Sequence, residues 1–170
     1  MIQPPELICL HEFSGWTEYI DSVYTTYLNT VALAGLSFCG WPVKVRFIPQ
    51  TKNKGYGFWH LISEAPDPRN RNEDERIPDL RRCERIRWVA WCIQHADACS
   101  PGFSWWENER RGETHAVLWA EHYDFTVVLA KRQPVQRPGF YLLKTAYCLT
   151  ERSVEKFKRE RNAWMEAQTD

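Results

Sequence analysis

The chain has 170 residues, of which 44% are apolar and 14% aromatic, which is enough for one domain with a packed core and argues against long disordered stretches. Lysine plus arginine number 22 and aspartate plus glutamate number 22. The net charge is therefore zero, and no overall field directs the protein to nucleic acid or to an acidic membrane.

Neither a signal peptide nor a membrane span is expected. The N-terminal stretch MIQPPELICLHEF carries proline and glutamate where a signal peptide has a basic head and an apolar core, and no run of about 18 apolar residues occurs. We therefore expect a cytoplasmic protein with no membrane contact. The six cysteines are irregularly spaced and form no CxxC pair, which argues against a zinc site and a disulfide framework. We expect them to be buried, reduced thiols.

The first predicted elements are a helix and a strand. Apolar residues recur at helical spacing after Ser14, a good N-cap, and the pattern ends at Gly35. Residues 43–48 alternate as a short strand, which Pro49 closes. A basic, glycine-containing loop, TKNKGYG, then leads into an apolar run around His60.

A polar loop and a second helix follow. Residues 63–79 are rich in Pro, Asn, Asp and Arg without periodicity, which predicts a long loop or flap. Pro78 starts a helix that runs to about Asp97. Its predicted buried stripe is Cys83, Ile86, Ala90 and Ile93, and a second ridge carries Arg81, Arg85 and Trp88.

The C-terminal half predicts a sheet and a final helix. Four strands form a mainly antiparallel meander, at Phe103–Glu109, Glu113–Glu121, Tyr123–Lys131 and Phe140–Cys148, and an amphipathic helix follows at Ser153–Gln168. The expected fold is a single α+β domain, 1–170, with a four-stranded sheet packed by helices. We divide it into an N-terminal extension at 1–55, a core at 56–150 and a C-terminal helix at 151–170.

The last strand carries polar residues in an apolar setting. Simple alternation puts Tyr141, Leu143, Thr145 and Tyr147 on one face and Leu142, Lys144, Ala146 and Cys148 on the other. A lysine or threonine at the centre of such a strand lowers the stability of the fold unless its side chain is paired. Its presence there therefore suggests a functional role for that side chain.

Three groups of residues are candidates for chemistry. His60 can act as a general acid or base, although a lone histidine among apolar residues is more often structural. Arg81 and Arg85 can bind phosphate with Trp88 stacking on a base, or can form a solvated helix face. The third group lies on adjacent strands, where lysines also guard against aggregation: Lys131, Arg132, Lys144 and Thr145.

A metal site is not expected. At the turn near His122, the candidate cluster is His115, Glu121, His122 and Asp124. Alternation puts His115 and Glu121 on one face and His122 on the other, so the set does not converge. No GxGxxG, P-loop, GxSxG or HExxH pattern is present. We expect no cofactor.

The stretches DFTVVLAKR and FYLLKTAY, supported by GFWHLIS, resemble the barnase–EndoU–colicin–RelE superfamily of small ribonuclease toxins, especially its phage- and prophage-associated branches. The resemblance covers roughly residues 60–148. The N-terminal 50 residues lie outside it, and the net charge is neutral where many such toxins are basic.

The resemblance implies a cytoplasmic, metal-independent endoribonuclease of toxin or phage-defence type. Its implied catalytic residues are His60, Arg81, Arg85, Thr145 and Tyr147, and its implied RNA-binding residues are Lys54, Trp88, Lys131 and Lys144. The implied partners are RNA, for instance a tRNA or another structured RNA, and an antitoxin or immunity protein. The alternative is a non-catalytic module that binds nucleic acid or protein, such as a phage or prophage inhibitor or adaptor.

Overall fold

The computed structural model of the protein describes residues 1–65, 69, 72 and 75–169. Its α-helices are α1 (Trp16–Tyr27), α2 (Tyr56–Ile62), α3 (Leu80–Glu84), α4 (Ile86–Asp97) and α5 (Glu151–Ala167). Its strands are β1 (Ser37–Phe38), β2 (Trp41–Lys44), β3 (Gln50–Thr51), β4 (Lys54–Gly55), β5 (Ser63–Glu64), β6 (Ile77–Pro78), β7 (Phe103–Arg110), β8 (Glu113–Ala120), β9 (Phe125–Arg132) and β10 (Phe140–Cys148).

The main sheet has six strands in the order β1-β2-β10-β9-β8-β7. The α+β class and the antiparallel meander β7–β10 are confirmed. The predicted count of four strands is wrong, because β2 pairs in parallel with β10 through Tyr141 opposite Val43. The N-terminal segment therefore completes the main sheet. Two further pairs, β3–β4 and β5–β6, form small hairpin-like sheets.

Each face of the sheet has its own core. Helices α1, α2 and α4 cover one face, and their buried side chains include Tyr19, Phe58 and Ile93. Helix α5 covers part of the opposite face, where Phe157 packs edge-on against Trp106, with ring centroids 5.2 Å apart. The predicted amphipathic C-terminal helix is therefore present, and Thr150 caps it by accepting a hydrogen bond from the backbone N–H of Ser153.

Strand β10 breaks the simple alternation at Lys144. Leu143 lies opposite Leu129, but Thr145 lies opposite Val128, so Lys144 is an extra residue that has no opposite number on β9. After such a bulge, each later residue of the strand projects its side chain from the opposite face to the one that simple alternation predicts. Tyr141, Leu143 and Ala146 consequently lie in the first core, which is the one that α1, α2 and α4 cover. Tyr147 packs against the second core, which α5 covers. The predicted grouping of Thr145 and Tyr147 with Leu143 is wrong for this reason.

The predicted helix from Pro78 to Asp97 is two helices that meet at Arg85. That residue has φ −99° and ψ 17°, outside the helical region, and it ends α3 and precedes α4. The predicted buried stripe is confirmed. The apolar run before it is helix α2. Of the predicted loop at 63–79, the two ends pair as β5 and β6, and residues 66–68, 70, 71, 73 and 74 lie outside the described part of the chain.

All six cysteines are free thiols, but only Cys83 and Cys92 are buried. The expectation that all are buried is wrong, since Cys39 and Cys99 are exposed in turns with positive φ. Within the described residues, no helix has both the length and the apolar character needed to cross a membrane.

Candidate active site

Helix α5 leaves one end of its sheet face open. Its Glu160 accepts a hydrogen bond from Asn108 on β7 at 3.2 Å and lies 3.8 Å from the guanidinium of Arg110. Beyond that point, toward the turn between β7 and β8, lies a cavity of about 710 Å³. We call it the sheet-face cavity, and its lining residues are Arg110, Arg111, Glu113, His115 and Lys144.

Strand pairing explains why these residues meet. Glu113 and His115 lie two apart on β8, so their side chains project from the same face. Arg110 lies opposite Glu113 on β7. Arg132 ends β9, and Lys144 forms the bulge of β10. Each of the four adjacent strands β7 to β10 therefore brings a charged side chain to this part of the sheet.

Glu113 is the centre of the charge network. Its carboxylate accepts a hydrogen bond from Arg132 at 2.8 Å, lies 3.2 Å from Nε2 of His115 and lies 3.8 Å from Nζ of Lys144. The hydrogen bonds from Arg132 and His115, helped by the charge of Lys144, lower the pKa of Glu113 to about 2. The carboxylate is therefore ionised at neutral pH.

His115 is held in place for proton transfer. Its side chain is 13% exposed and contacts Glu113 through Nε2. An ionised carboxylate beside an imidazole orients the ring. A histidine in this setting can exchange a proton with a bound substrate while Arg110, Arg111 and Lys144 attract an anion.

Lys144 also lines a second, smaller cavity. The smaller cavity, about 70 Å³, lies beside α2 and is lined by Lys144 and by Arg46, Tyr56, Gly57, His60, Leu142 and Leu143. The ring of His60 stacks on Tyr56 with centroids 4.0 Å apart, and the guanidinium of Arg46 lies 4.1 Å from the same tyrosine ring. A predicted histidine and an unpredicted one therefore each share a cavity with the same lysine.

Arg81 and Tyr147 lie in a different cavity, of about 210 Å³, which also contains Arg82. Arg82 pairs with Glu64 and lies 5.6 Å from the ring of Tyr147. Burial raises the pKa of Tyr147. These residues form a local network that has no lining residue in common with either cavity of Lys144.

Arg85 and Trp88 belong to the helix junction and the first core. Arg85 donates a hydrogen bond to the carbonyl of Arg81 at 3.0 Å, and its guanidinium lies 5.0 Å from the Trp88 ring. Trp88 is only 7% exposed, and its indole N–H donates to the carbonyl of Pro5 at 2.8 Å. The ring is packed against other aromatic side chains and offers little surface to a base.

The remaining predicted residues are dispersed. Lys54 pairs with Asp21 at 2.6 Å near α1. Lys131 pairs with Glu107 at 2.9 Å and, by alternation, projects from the face opposite to that of Arg132. Thr145 follows the bulge directly and is partly buried opposite Val128. The predicted set is therefore not assembled in one cavity, and only Lys144 lies in the sheet-face cavity.

Sequence reasoning underrated Glu113 and His115. It treats His115 only as a possible metal ligand together with His122 and Glu121, and in the structure Glu121 pairs with Arg161. Among the described residues, no group of three or more His, Cys, Asp or Glu side chains is placed to hold a metal ion. The available signal was the pattern Glu-x-His at the start of a strand, which puts a carboxylate and an imidazole on one face.

Comparisons with models of known protein families, with curated proteins and with solved structures each gave no match for this chain. The resemblance to the barnase–EndoU–colicin–RelE superfamily therefore stays a prediction, and so do the roles that it implies for His60 and Thr145. What the chain can do chemically is inferred from its cavities.

Proposed function

We propose that this protein is a metal-independent endoribonuclease whose reaction takes place in the sheet-face cavity. The observation that supports this proposal is the pairing of His115 with an ionised Glu113 at 3.2 Å, in a cavity that three cationic side chains also line. Those cations are Arg110, Arg111 and Lys144. The cavity thus joins a proton-transfer group to a binding site for an anion.

The chemistry of RNA cleavage matches these groups. A base removes the proton of the ribose 2′-OH, whose oxygen then attacks phosphorus, and an acid protonates the departing 5′ oxygen. The products are a 2′,3′-cyclic phosphate and a 5′-hydroxyl. Cations that face the phosphate stabilise the charge that develops in the transition state, which replaces the work of a metal.

We assign His115 to one of the two proton transfers and His60 to the other. Lys144 lines the cavities of both histidines and is the one lining residue that the two cavities have in common. Glu113 is a poor base because its pKa is about 2, and its role is to orient His115 and to stabilise the imidazolium.

The charge pattern supports a local, shaped site. The chain has zero net charge, yet the sheet-face cavity carries three cations against the single carboxylate of Glu113. A local positive basin on a neutral protein favours recognition of one structured RNA over broad binding to any polyanion.

The test is RNA cleavage by purified protein in excess EDTA, with a tRNA and a single-stranded RNA as substrates. We expect products that end in a 2′,3′-cyclic phosphate. His115→Ala should lower the rate about 10²- to 10⁴-fold, the usual contribution of a positioned proton transfer. His60→Ala should lower it as well, and His11→Ala, which changes an exposed histidine outside both cavities, should not.

RNA binding measured under the same conditions distinguishes the alternative. If the wild type binds RNA through Arg110 and Arg111 but leaves it uncut, the protein is a non-catalytic binding module. If His115→Ala cuts as fast as the wild type, the assignment of the sheet-face cavity is wrong even if the enzyme proposal survives.

A further inference from the structure

A second cavity of a different kind lies between α1, the β3–β4 hairpin and α2. It is a cavity of about 510 Å³, within the range of small-molecule sites. We call it the indole cavity. Its lining residues are Trp16, Thr17, Ile20, Asp21, Thr51, Lys52, Lys54, Trp59, Arg76 and Pro78, none of which lines the sheet-face cavity.

Two indoles line this cavity, one buried and one exposed. Trp59 is 9% exposed, and its indole N–H donates a hydrogen bond to the carbonyl of Thr51 at 2.8 Å, which fixes the ring against the hairpin. Trp16 begins α1 and keeps 43% of its surface exposed. An exposed tryptophan at the wall of a cavity is a surface on which a planar ring can stack.

The hairpin adds positive charge at the rim of the cavity. Lys54 is already neutralised by Asp21 at 2.6 Å. Lys52 is exposed at the turn, with its ammonium group 5.9 Å from the Trp59 ring centroid, and within the described residues it has no carboxylate partner. An anionic group that enters the cavity therefore meets Lys52 without having to break an ion pair.

We propose that the indole cavity binds one nucleotide, with its base on the exposed ring of Trp16 and its phosphate at Lys52. A planar ring joined to a phosphate matches both halves of the site: the aromatic lining and the exposed ammonium group at its rim. The nucleotide is either free in solution or one unit of an RNA chain. This inference does not depend on catalysis in the sheet-face cavity.

The experiment is isothermal titration calorimetry of the full chain with two kinds of probe. The first is a mononucleotide, 5′-AMP or 5′-GMP, and the second is a 2′-O-methyl oligonucleotide, which cannot be cleaved by attack of its 2′ oxygen. Saturable binding of the mononucleotide identifies a site for free nucleotides. Binding of the oligonucleotide alone identifies a unit of RNA as the ligand.

Two variants locate the binding. Trp16→Ala should weaken it about fivefold to a hundredfold, which is the range for loss of one base-stacking aromatic ring. Lys52→Glu should weaken it as well by repelling the phosphate, and it keeps the test decisive if Trp16→Ala folds poorly. The matched control is Lys158→Glu, which makes the same charge change on the exposed face of α5.

Failure of the wild type to bind either probe overturns the proposal. So does equal binding by the wild type, Trp16→Ala and Lys52→Glu, because the ligand would then lie elsewhere. Inorganic phosphate that competes as well as the mononucleotide would also overturn it, since the base would then contribute nothing.

Discussion

Nε2 of His115 lies 3.2 Å from the carboxylate of Glu113, two residues earlier in the same strand, and Arg132 holds that carboxylate from the next strand at 2.8 Å. The arrangement is built on strands rather than on loops, so its geometry follows from the register of β8 and β9. Because its hydrogen bonds lower its pKa to about 2, the Glu113 carboxylate is charged over the whole physiological pH range.

The pH dependence of stability tests this network through Glu113→Gln. The folded protein lowers the pKa of Glu113 from 4.5 to about 2, so its ionised form stabilises the fold above pH 4.5. That stabilisation should disappear as the pH falls from 4.5 toward 2. We expect the wild type to exceed Glu113→Gln in free energy of unfolding at pH 7 and the gap to close in acid.

Urea unfolding at a series of pH values measures this gap. Glu6→Gln, which removes an exposed carboxylate far along the chain from β8, controls for the general effect of one less negative charge. A gap between the wild type and Glu113→Gln that stays constant down to pH 2 would contradict the lowered pKa of Glu113.

Lys144 should matter for activity and not for the fold. The bulge places it between two cavities, and its side chain is 39% exposed with Glu113 3.8 Å away. We expect Lys144→Ala to cut RNA about 10²- to 10³-fold more slowly, as for loss of one preorganised charge contact. Lys144→Arg should restore part of the rate, and thermal melting should show that both variants remain folded.

Deleting Lys144 tests the bulge itself. Removal of the extra residue lets Leu143 and Thr145 follow each other in a regular ladder opposite Leu129 and Val128, so the strand should still form. The deletion variant should fold and lack cleavage. Loss of folding on deletion, together with folded Lys144→Ala, would mean that the bulge is required by the sheet rather than by the site.

Trp88 should affect stability and leave RNA affinity unchanged. Its ring lies in the first core and its N–H donates to the carbonyl of Pro5. Trp88→Phe keeps an aromatic ring but leaves that carbonyl without its donor, which should cost about 1–3 kcal/mol. Chemical unfolding and RNA binding of the same sample provide the test. A folded Trp88→Phe with weaker RNA binding would restore the stacking role predicted from sequence.

Local patterns explain which parts of the fold could be predicted. The strands β7 to β10 alternate or are continuously apolar, and helix α5 shows its period within its own residues, so both follow from short stretches. The parallel pairing of β2 with β10 joins residues about a hundred positions apart, as Val43 and Tyr141 show. No local pattern in either segment specifies that partner.

The faces of β10 are harder to predict than the strand itself because they depend on one register shift. The bulge at Lys144 arises from the pairing of β10 with β9, and without it Thr145 would share a face with Leu143. Simple alternation therefore assigns Thr145 and Tyr147 to the wrong face. The helix junction at Arg85 is also missed by the local pattern, which predicts one continuous helix where α3 and α4 meet.

Phe157 should hold α5 over the sheet and so define the edge of the sheet-face cavity. It is 4% exposed, and its ring packs edge-on against Trp106 at 5.2 Å and Trp119 at 6.2 Å. Phe157→Ala removes most of this contact and should lower the free energy of unfolding by about 3–5 kcal/mol. Met165→Ala on the same helix is the matched control, because Met165 is 56% exposed and its loss should change stability by about 0.5 kcal/mol or less. Equal effects of the two substitutions in urea unfolding would show that α5 does not depend on this contact, and Glu160 would then have no fixed position beside Asn108 and Arg110.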